Sequence, residues 1–325
     1  MPFVDGQALL PYTTSNRRPR RSALRLQADG VLFLVLLSVI VVVSIRSIGL
    51  AKPAAAGGGA AAVSNPVLVQ PSPTPGTATS AHPDCSETHG QIEQGEIEVN
   101  GQPRPLPFRV YLPPCYHADA GQRYPVLYLL HGLLGTDAQW DDLGVDEAAD
   151  VLITQGAIPP FLIVMPWERS GLTIESALAD GLIGYIDQNY RTRPLAVWRA
   201  IGGLSRGGGE ALEIGLRHPD LFGQIGLHSP AVLHGDSLIL RWLNDIPVDK
   251  MPYLWVDIGL RDSLFPSTAH LIEFLFQQGI APTLQFNEGD HLPSYWESNL
   301  STYLRWHGGL WRAAELKQFA GVLGY

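Results

Sequence analysis

Apolar positions along this chain form one nearly continuous block near the amino end and two alternating rhythms after residue 90. Residues 91–100 set Ile92, Ile97 and Val99 against Glu93, Glu96 and Glu98, which predicts a strand. Residues 108–112 predict a second, stopped by Pro113 and Pro114. Together they read as an antiparallel hairpin at a sheet edge. Residues 124–130 (Tyr-Pro-Val-Leu-Tyr-Leu-Leu) are nearly continuous in apolar character, as a strand buried on both faces of a parallel sheet must be. From there the rhythm switches back and forth. Residues 145–155, 176–190, 207–218, 267–278 and 293–306 read as helices. Residues 161–165, 197–201, 224–228, 253–258 and 283–287 read as strands between them. Alternation of this kind predicts the α/β class, a mostly parallel sheet with helices on both faces. Residues 233–250 carry no clear period and read as loop, and there is no internal repeat.

The amino end changes the picture of where the protein works. Residues 31–45 are apolar except for Ser38 and Ser44, behind a flank of Arg17, Arg18, Arg20, Arg21 and Arg25. That is shorter than the roughly 20 residues of a full span, and fits a signal-peptide core or a short amino-terminal anchor. A basic flank stays in the cytoplasm, so the body is expected outside it, tethered to the membrane or secreted. Residues 51–84 are mainly Ala, Gly, Pro, Ser and Thr and read as a linker. Residues 85–325 remain as one folded body, large enough for a full α/β core. Six Arg against Asp5 and Asp29 give residues 1–50 a charge of +4, which leaves −13 on the rest of a chain at −9. So acidic a body argues against a nucleic-acid partner. Cys85 and Cys115 are the only cysteines. In an exported protein an even pair reads as a disulfide, with two free thiols as the alternative. Without a matching pair of histidines they are poor evidence for zinc.

Candidate chemistry centres on Gly203-Leu204-Ser205-Arg206-Gly207, between a predicted strand and a predicted helix. Gly-x-Ser-x-Gly in that context is the spacing of a nucleophile elbow, a turn tight enough to present a serine hydroxyl. A nucleophilic serine needs a base, a carboxylate to orient the base, and donors for the oxyanion. In the order serine, acid, histidine, Asp262 follows the strand at 253–258 and His291 follows the strand at 283–287. Both then reach the same sheet edge as Ser205. Asp290 is a second candidate acid and His228 a second candidate base; Asp257, within a strand, and His218, at a helix end, read as structural. Oxyanion donors should be backbone amides: that of Arg206, and one from the loop His131-Gly132-Leu133-Leu134-Gly135. We take Leu133 for the latter, with Leu134 as alternative and His131 as a scaffold for the loop. Trp140, Trp167, Tyr295 and Trp296 sit where they either line a pocket or simply pack.

Four motifs taken together carry a resemblance over residues 92–310: Tyr111-Leu112-Pro113-Pro114; His131-Gly132-x-x-Gly135 after the Tyr-Pro-Val-Leu-Tyr-Leu-Leu strand; Gly203-Leu204-Ser205-x-Gly207-Gly208; and His218-Pro219-Asp220-Leu221-Phe222. The chain resembles the esterase family that includes esterase D-like enzymes, feruloyl esterases, enterochelin esterase-like proteins and mycolyltransferases. The resemblance implies an α/β-hydrolase fold, a carboxylic ester substrate (a small molecule, or a lipid or sugar ester), and no metal or organic cofactor. It places the family's nucleophile on Ser205, its acid on Asp262 and its base on His291. Many relatives have Met after the nucleophile, whereas this chain has Arg206. Its guanidinium is expected to pair with an acidic residue; the alternative is a substrate carboxylate. Two rival functions stand beside hydrolysis: acyl transfer to a sugar or lipid acceptor, and a non-catalytic surface binding domain.

Overall fold

The computed structural model describes residues 85–323. The targeting, anchor and linker expectations for residues 1–84 lie outside the described residues. Among the described residues no helix is long and apolar enough to cross a membrane.

Eight strands form one sheet: β1 (Gln91–Ile97), β2 (Leu106–Leu112), β3 (Val126–Leu130), β4 (Leu162–Pro166), β5 (Arg199–Leu204), β6 (Gln224–His228), β7 (Tyr253–Gly259) and β8 (Thr283–Asn287). Their spatial order is β1-β2-β4-β3-β5-β6-β7-β8. The β1–β2 and β2–β4 pairs are antiparallel and every later pair is parallel. The hairpin thus caps one edge, and β3 to β8 all end at the same carboxyl edge.

Five longer helices connect β3 to β8 and a sixth follows β8: α1 (Val145–Thr154), α2 (Ile183–Asn189), α3 (Arg206–Arg217), α4 (Asp236–Asp245), α5 (Phe265–Gln277) and α6 (Pro293–Leu323). The period-2 pattern of the strands divides the core. Tyr128, Val164, Ile201, Ile225 and Val256 face one layer with Leu212 of α3, Trp242 of α4 and Leu271 of α5. Leu127, Leu129, Ile163 and Trp255 face the other, with Leu152 of α1 and Trp296, Tyr303 and Trp311 of α6. Helices on both faces explain why strands such as β3 and β4 are apolar at every position.

Several boundaries differ from the sequence reading. The strand expected at 197–201 begins at Arg199, because Ala196–Trp198 closes as a 3₁₀ turn with Leu195 and Val197 exposed. Residues 233–250 are not all loop: α4 buries Ile239, Trp242 and Leu243 on one side. The helix expected at 176–190 starts at Ile174–Ala177 and runs through a π turn, Leu178–Leu182, into α2. The last helix runs 31 residues rather than stopping at 306, because Trp311 carries its apolar face onward against Phe161.

One buried carboxylate ties the second layer to the sheet. Asp257 of β7 accepts hydrogen bonds from His228 Nδ1 (2.6 Å), Trp255 Nε1 (2.9 Å), Tyr295 OH (3.0 Å) and Tyr303 OH (2.8 Å). Four donors on one fully buried carboxylate answer its desolvation. At the amino end of the body, Cys85 and Cys115 are disulfide-bonded, with Cα atoms 5.9 Å apart. The two are 30 residues apart in sequence, and closing such a loop contributes about 3.6 kcal/mol by restricting the unfolded chain. Cys115→Ala is therefore expected to lower the chemical-denaturation midpoint by an amount equivalent to about 2–4 kcal/mol; an unchanged midpoint under oxidising conditions would mean the tie does not constrain the fold.

Candidate active site

Ser205 links the end of β5 to the start of α3 and has φ 55° and ψ −118°. A serine held at positive φ is strained by about 1–3 kcal/mol, and its neighbours must enforce it. They do so by close approach. A β-carbon on Gly203 would lie 2.3 Å from the Gly207 carbonyl oxygen, and one on Gly207 would lie 2.5 Å from the carbonyl oxygens of Leu130 and His131. Only glycine lets the turn, β3 and the helix come this near. The Ser205 amide donates to His228 O (2.9 Å), and its carbonyl accepts from Ala231 N (2.8 Å). The turn is pinned to the end of β6 and to the loop after it.

The loops after β7 and β8 meet the serine. His291 Nε2 is 2.9 Å from Ser205 Oγ, and His291 Nδ1 is 2.8 Å from Asp262 Oδ2. An ionised carboxylate only accepts, so Nδ1 carries the hydrogen and the Nε2 lone pair faces the hydroxyl. Asp262 Oδ1 accepts from the Leu264 amide at 2.8 Å. Burial alone pushes the Asp262 carboxyl up. The hydrogen bonds from His291 and Leu264, the His291 charge and the Ser229 hydroxyl outweigh it and hold the group below the ordinary carboxylate range. The Asp262 side chain is sealed from solvent at 0%, whereas His291 keeps 28% of its surface open toward the site. Arg261 N to Gly289 O (2.9 Å) and Leu260 N to Asn287 O (2.9 Å) lock the acid loop to the base loop. Trp296 packs edge-on against the His291 ring at 5.0 Å.

The loop after β3 lies on the other side of the serine. A β-carbon on Gly132 would be 3.7 Å from Ser205 Cβ, so the Gly132–Leu133 segment borders the hydroxyl. Arg206 is the first residue of α3, where an amide has no intrahelical acceptor. His131 Nδ1 bonds Gly132 O (2.7 Å), and His131 Nε2 accepts from the Glu168 amide (3.0 Å). Burial pushes the His131 pKa down, with the Arg206 charge adding to it, so the ring is neutral with its hydrogen on Nδ1. Arg206 forms ion pairs with Glu168 (2.6 Å) and Glu210 (3.2 Å).

The other candidates lie elsewhere. Asp290 pairs with Arg261 near the surface (3.2 Å), not with His291. His228 is buried against Asp257, and His218 pairs with Glu175 (2.7 Å). Trp140 is fully buried and donates to Leu130 O (3.0 Å); Tyr295 serves Asp257. Two contributors escaped the sequence reading. Gln139 accepts from the Gly132 amide (2.7 Å), and Glu168 sits just past β4. Glu168 lies two residues past β4, and Gln139 stands nine residues past β3, where nothing in the sequence marks it. Among the described residues, one close group of metal-ligating types occurs, Cys85, Glu87 and Cys115, and the disulfide removes both thiolates.

A mostly parallel sheet with helices on both faces and a strained serine on a strand-to-helix turn is the α/β-hydrolase fold. More particularly, the chain belongs to the esterase family: the family model described as "Putative esterase" matches residues 100–307. It is 36% identical over 194 residues to an endo-1,4-beta-xylanase/feruloyl esterase of Xylanibacter ruminicola, covering 54% of this chain and 25% of that one. It is 33% identical over 153 residues to esterase Rv1288 of Mycobacterium tuberculosis, covering 42% and 32%. The chain thus spans about a quarter to a third of the curated relatives it matches. Among solved structures, a ferulic acid esterase superposes with a TM-score of 0.61 at 24% identity, over 68% of this chain and 99% of that one. The S-formylglutathione hydrolase FrmB of Staphylococcus aureus does so with 0.55 at 16% identity, over 67% and 99%. These two share the fold.

The two elbow glycines give a direct test. Gly203→Ala and Gly207→Ala each force backbone apart beside Ser205, and a displacement near 1 Å there costs on the order of 10²-fold in rate. Ester turnover per folded molecule should fall by that much, with folding checked by circular dichroism; full turnover in both variants would mean the close approach is not needed.

Proposed function

We propose that the protein is a serine esterase acting through an acyl-enzyme on Ser205. The observation that carries the reading is the 2.9 Å contact between Ser205 Oγ and His291 Nε2, with Asp262 on the far side of the ring. His291 Nε2 takes the hydroxyl proton as Oγ attacks the ester carbonyl. Asp262 keeps the ring in the tautomer this requires and stabilises the imidazolium. The amides of Leu133 and Arg206 receive the oxyanion. His291 then returns the proton to the leaving alcohol, and a water activated by the same Nε2 hydrolyses the acyl-enzyme. A carboxylic ester is the substrate class, and feruloyl esters are the first to try, because a curated relative is named a feruloyl esterase.

We further infer that the body works outside the cytoplasm, held by or released from the segment at residues 31–45. The Cys85–Cys115 disulfide supports this, since such bonds persist in oxidising compartments. Fractionation of cells making the full chain should find it in the membrane or outside fraction; an entirely cytosolic pool would refute the inference.

Ser205→Ala should reduce p-nitrophenyl acetate hydrolysis to background, and Asp262→Asn should lower kcat by about 10⁴-fold through the wrong tautomer. Turnover retained in Ser205→Ala would refute the assignment. Because Asp262 is held below the ordinary carboxylate range, its own protonation should add no second proton to the acid limb of kcat/KM; a two-proton limb would contradict this. Adding a sugar or lipid alcohol acceptor should leave product partition unchanged, whereas diversion of acyl groups to it would favour acyl transfer.

A further inference from the structure

Behind Ser205 lies a charged, half-buried cluster that the acyl chemistry above does not use: His131, Glu168, Arg206 and Glu210. Its connections lead to both sides of the oxyanion site. The Leu133 N–H belongs to the peptide unit whose carbonyl is Gly132 O. In a trans peptide those two groups point in opposite directions. The bond from His131 Nδ1 to Gly132 O (2.7 Å) therefore aims the Leu133 N–H, and polarises it. The other ring nitrogen, His131 Nε2, accepts from the Glu168 amide at 3.0 Å, so the ring that makes this bond is fixed at both ends. The Glu168 side chain goes the other way. Its carboxylate sits 2.6 Å from the guanidinium of Arg206, the residue whose amide opens α3 next to the serine. One residue in the loop after β4 is thus bonded toward both donors, which arise 73 residues apart in sequence (133 and 206).

We propose that Glu168 is a positioning residue that keeps both oxyanion donors in register, its backbone N–H acting through His131 and its carboxylate through Arg206; this rests on the esterase reading above. Glu210, one turn along α3, supplies the counterpoise. It faces Glu168 from the β4 loop and Arg206 and Glu213 on its own helix. Behind these, His131 and Asp137 come from the loop region after β3, and His234 (2.7 Å) and Arg217 (3.2 Å) engage Glu213. Burial first, then the charge of Glu168, pushes the Glu210 carboxyl up to about 8, against the pull of Arg206. At neutral pH Glu210 is protonated and Arg206 is left to Glu168. As pH rises through about 8, Glu210 ionises, competes for Arg206 and repels Glu168, so the link loosens.

The test is steady-state p-nitrophenyl acetate hydrolysis by the full-length protein across pH. Glu168→Gln and Arg206→Met should each lower kcat by about 10- to 100-fold with KM moved less than about threefold. The double variant should fall no further than the worse single, because both break the same link. Arg206→Lys, which keeps the charge, should recover part of the kcat lost in Arg206→Met. Wild-type kcat should decline as pH rises through about 8, and Glu210→Gln should remove that decline. The proposal is overturned if Glu168→Gln keeps wild-type kcat, if the single losses multiply in the double variant, or if Glu210→Gln retains the alkaline decline. Should Glu168→Gln not unfold cooperatively, the Arg206 pair and the Glu210 pH profile decide the matter alone. Activity surviving in Ser205→Ala would sink the underlying esterase reading; an inactive Ser205→Ala beside a fully active Glu168→Gln would sink only the positioning role.

Discussion

A serine hydroxyl at neutral pH is a weak nucleophile, and the hydrogen bond from Ser205 Oγ to His291 Nε2 is the contact on which the rest of the site depends. It joins residues 86 apart in sequence at 2.9 Å. No local structure can do that. It requires β5, β7 and β8 to run parallel and end at one edge, so that three loops deliver hydroxyl, carboxylate and imidazole to one place. The two-layer core exists, in functional terms, to make that edge rigid. Reacting groups must be placed to within about 1 Å for the proposed chemistry to proceed at speed.

Rigidity has a visible route through the fold. The Ser205 amide hangs from the carbonyl of His228, and His228 donates to Asp257. Asp257 also holds two tyrosines of α6, and Trp296 on that helix backs the ring of His291. The strained turn and the base are therefore braced by the same buried carboxylate, from opposite sides. Strain of about 1–3 kcal/mol at Ser205 survives because breaking this brace would strand a buried charge, which costs more.

How much of this was legible in the sequence follows from what each feature depends on. Strands buried on both faces, such as β3 and β4, announce themselves because neither face tolerates a polar residue. Gly203, Ser205 and Gly207 are legible because tight backbone contact leaves a fixed spacing. Asp262 and His291 follow from chain order and from sitting just beyond strands. Where the reading missed, the determinant was tertiary. The exposed Leu195 and Val197 look like strand until their surroundings are known. The residues of α4 gain their apolar face only by docking against the sheet layer. Glu168 and Gln139 leave no periodic or spacing signal, because their role is set by a backbone amide or carbonyl that folding brings near. Arg206, conspicuous beside the serine, turns to two carboxylates at its back.

The central claim is that the hydroxyl of residue 205, and no other, is made reactive by its surroundings. The most direct measurement is mass mapping of the adduct formed when the folded protein meets a fluorophosphonate, which modifies only an activated serine. The account predicts a single adduct, on the peptide that carries Ser205, and none once the protein is unfolded. Absence of an adduct on the folded protein, or an adduct on another serine such as Ser229, whose φ of 47° is also positive, would contradict it.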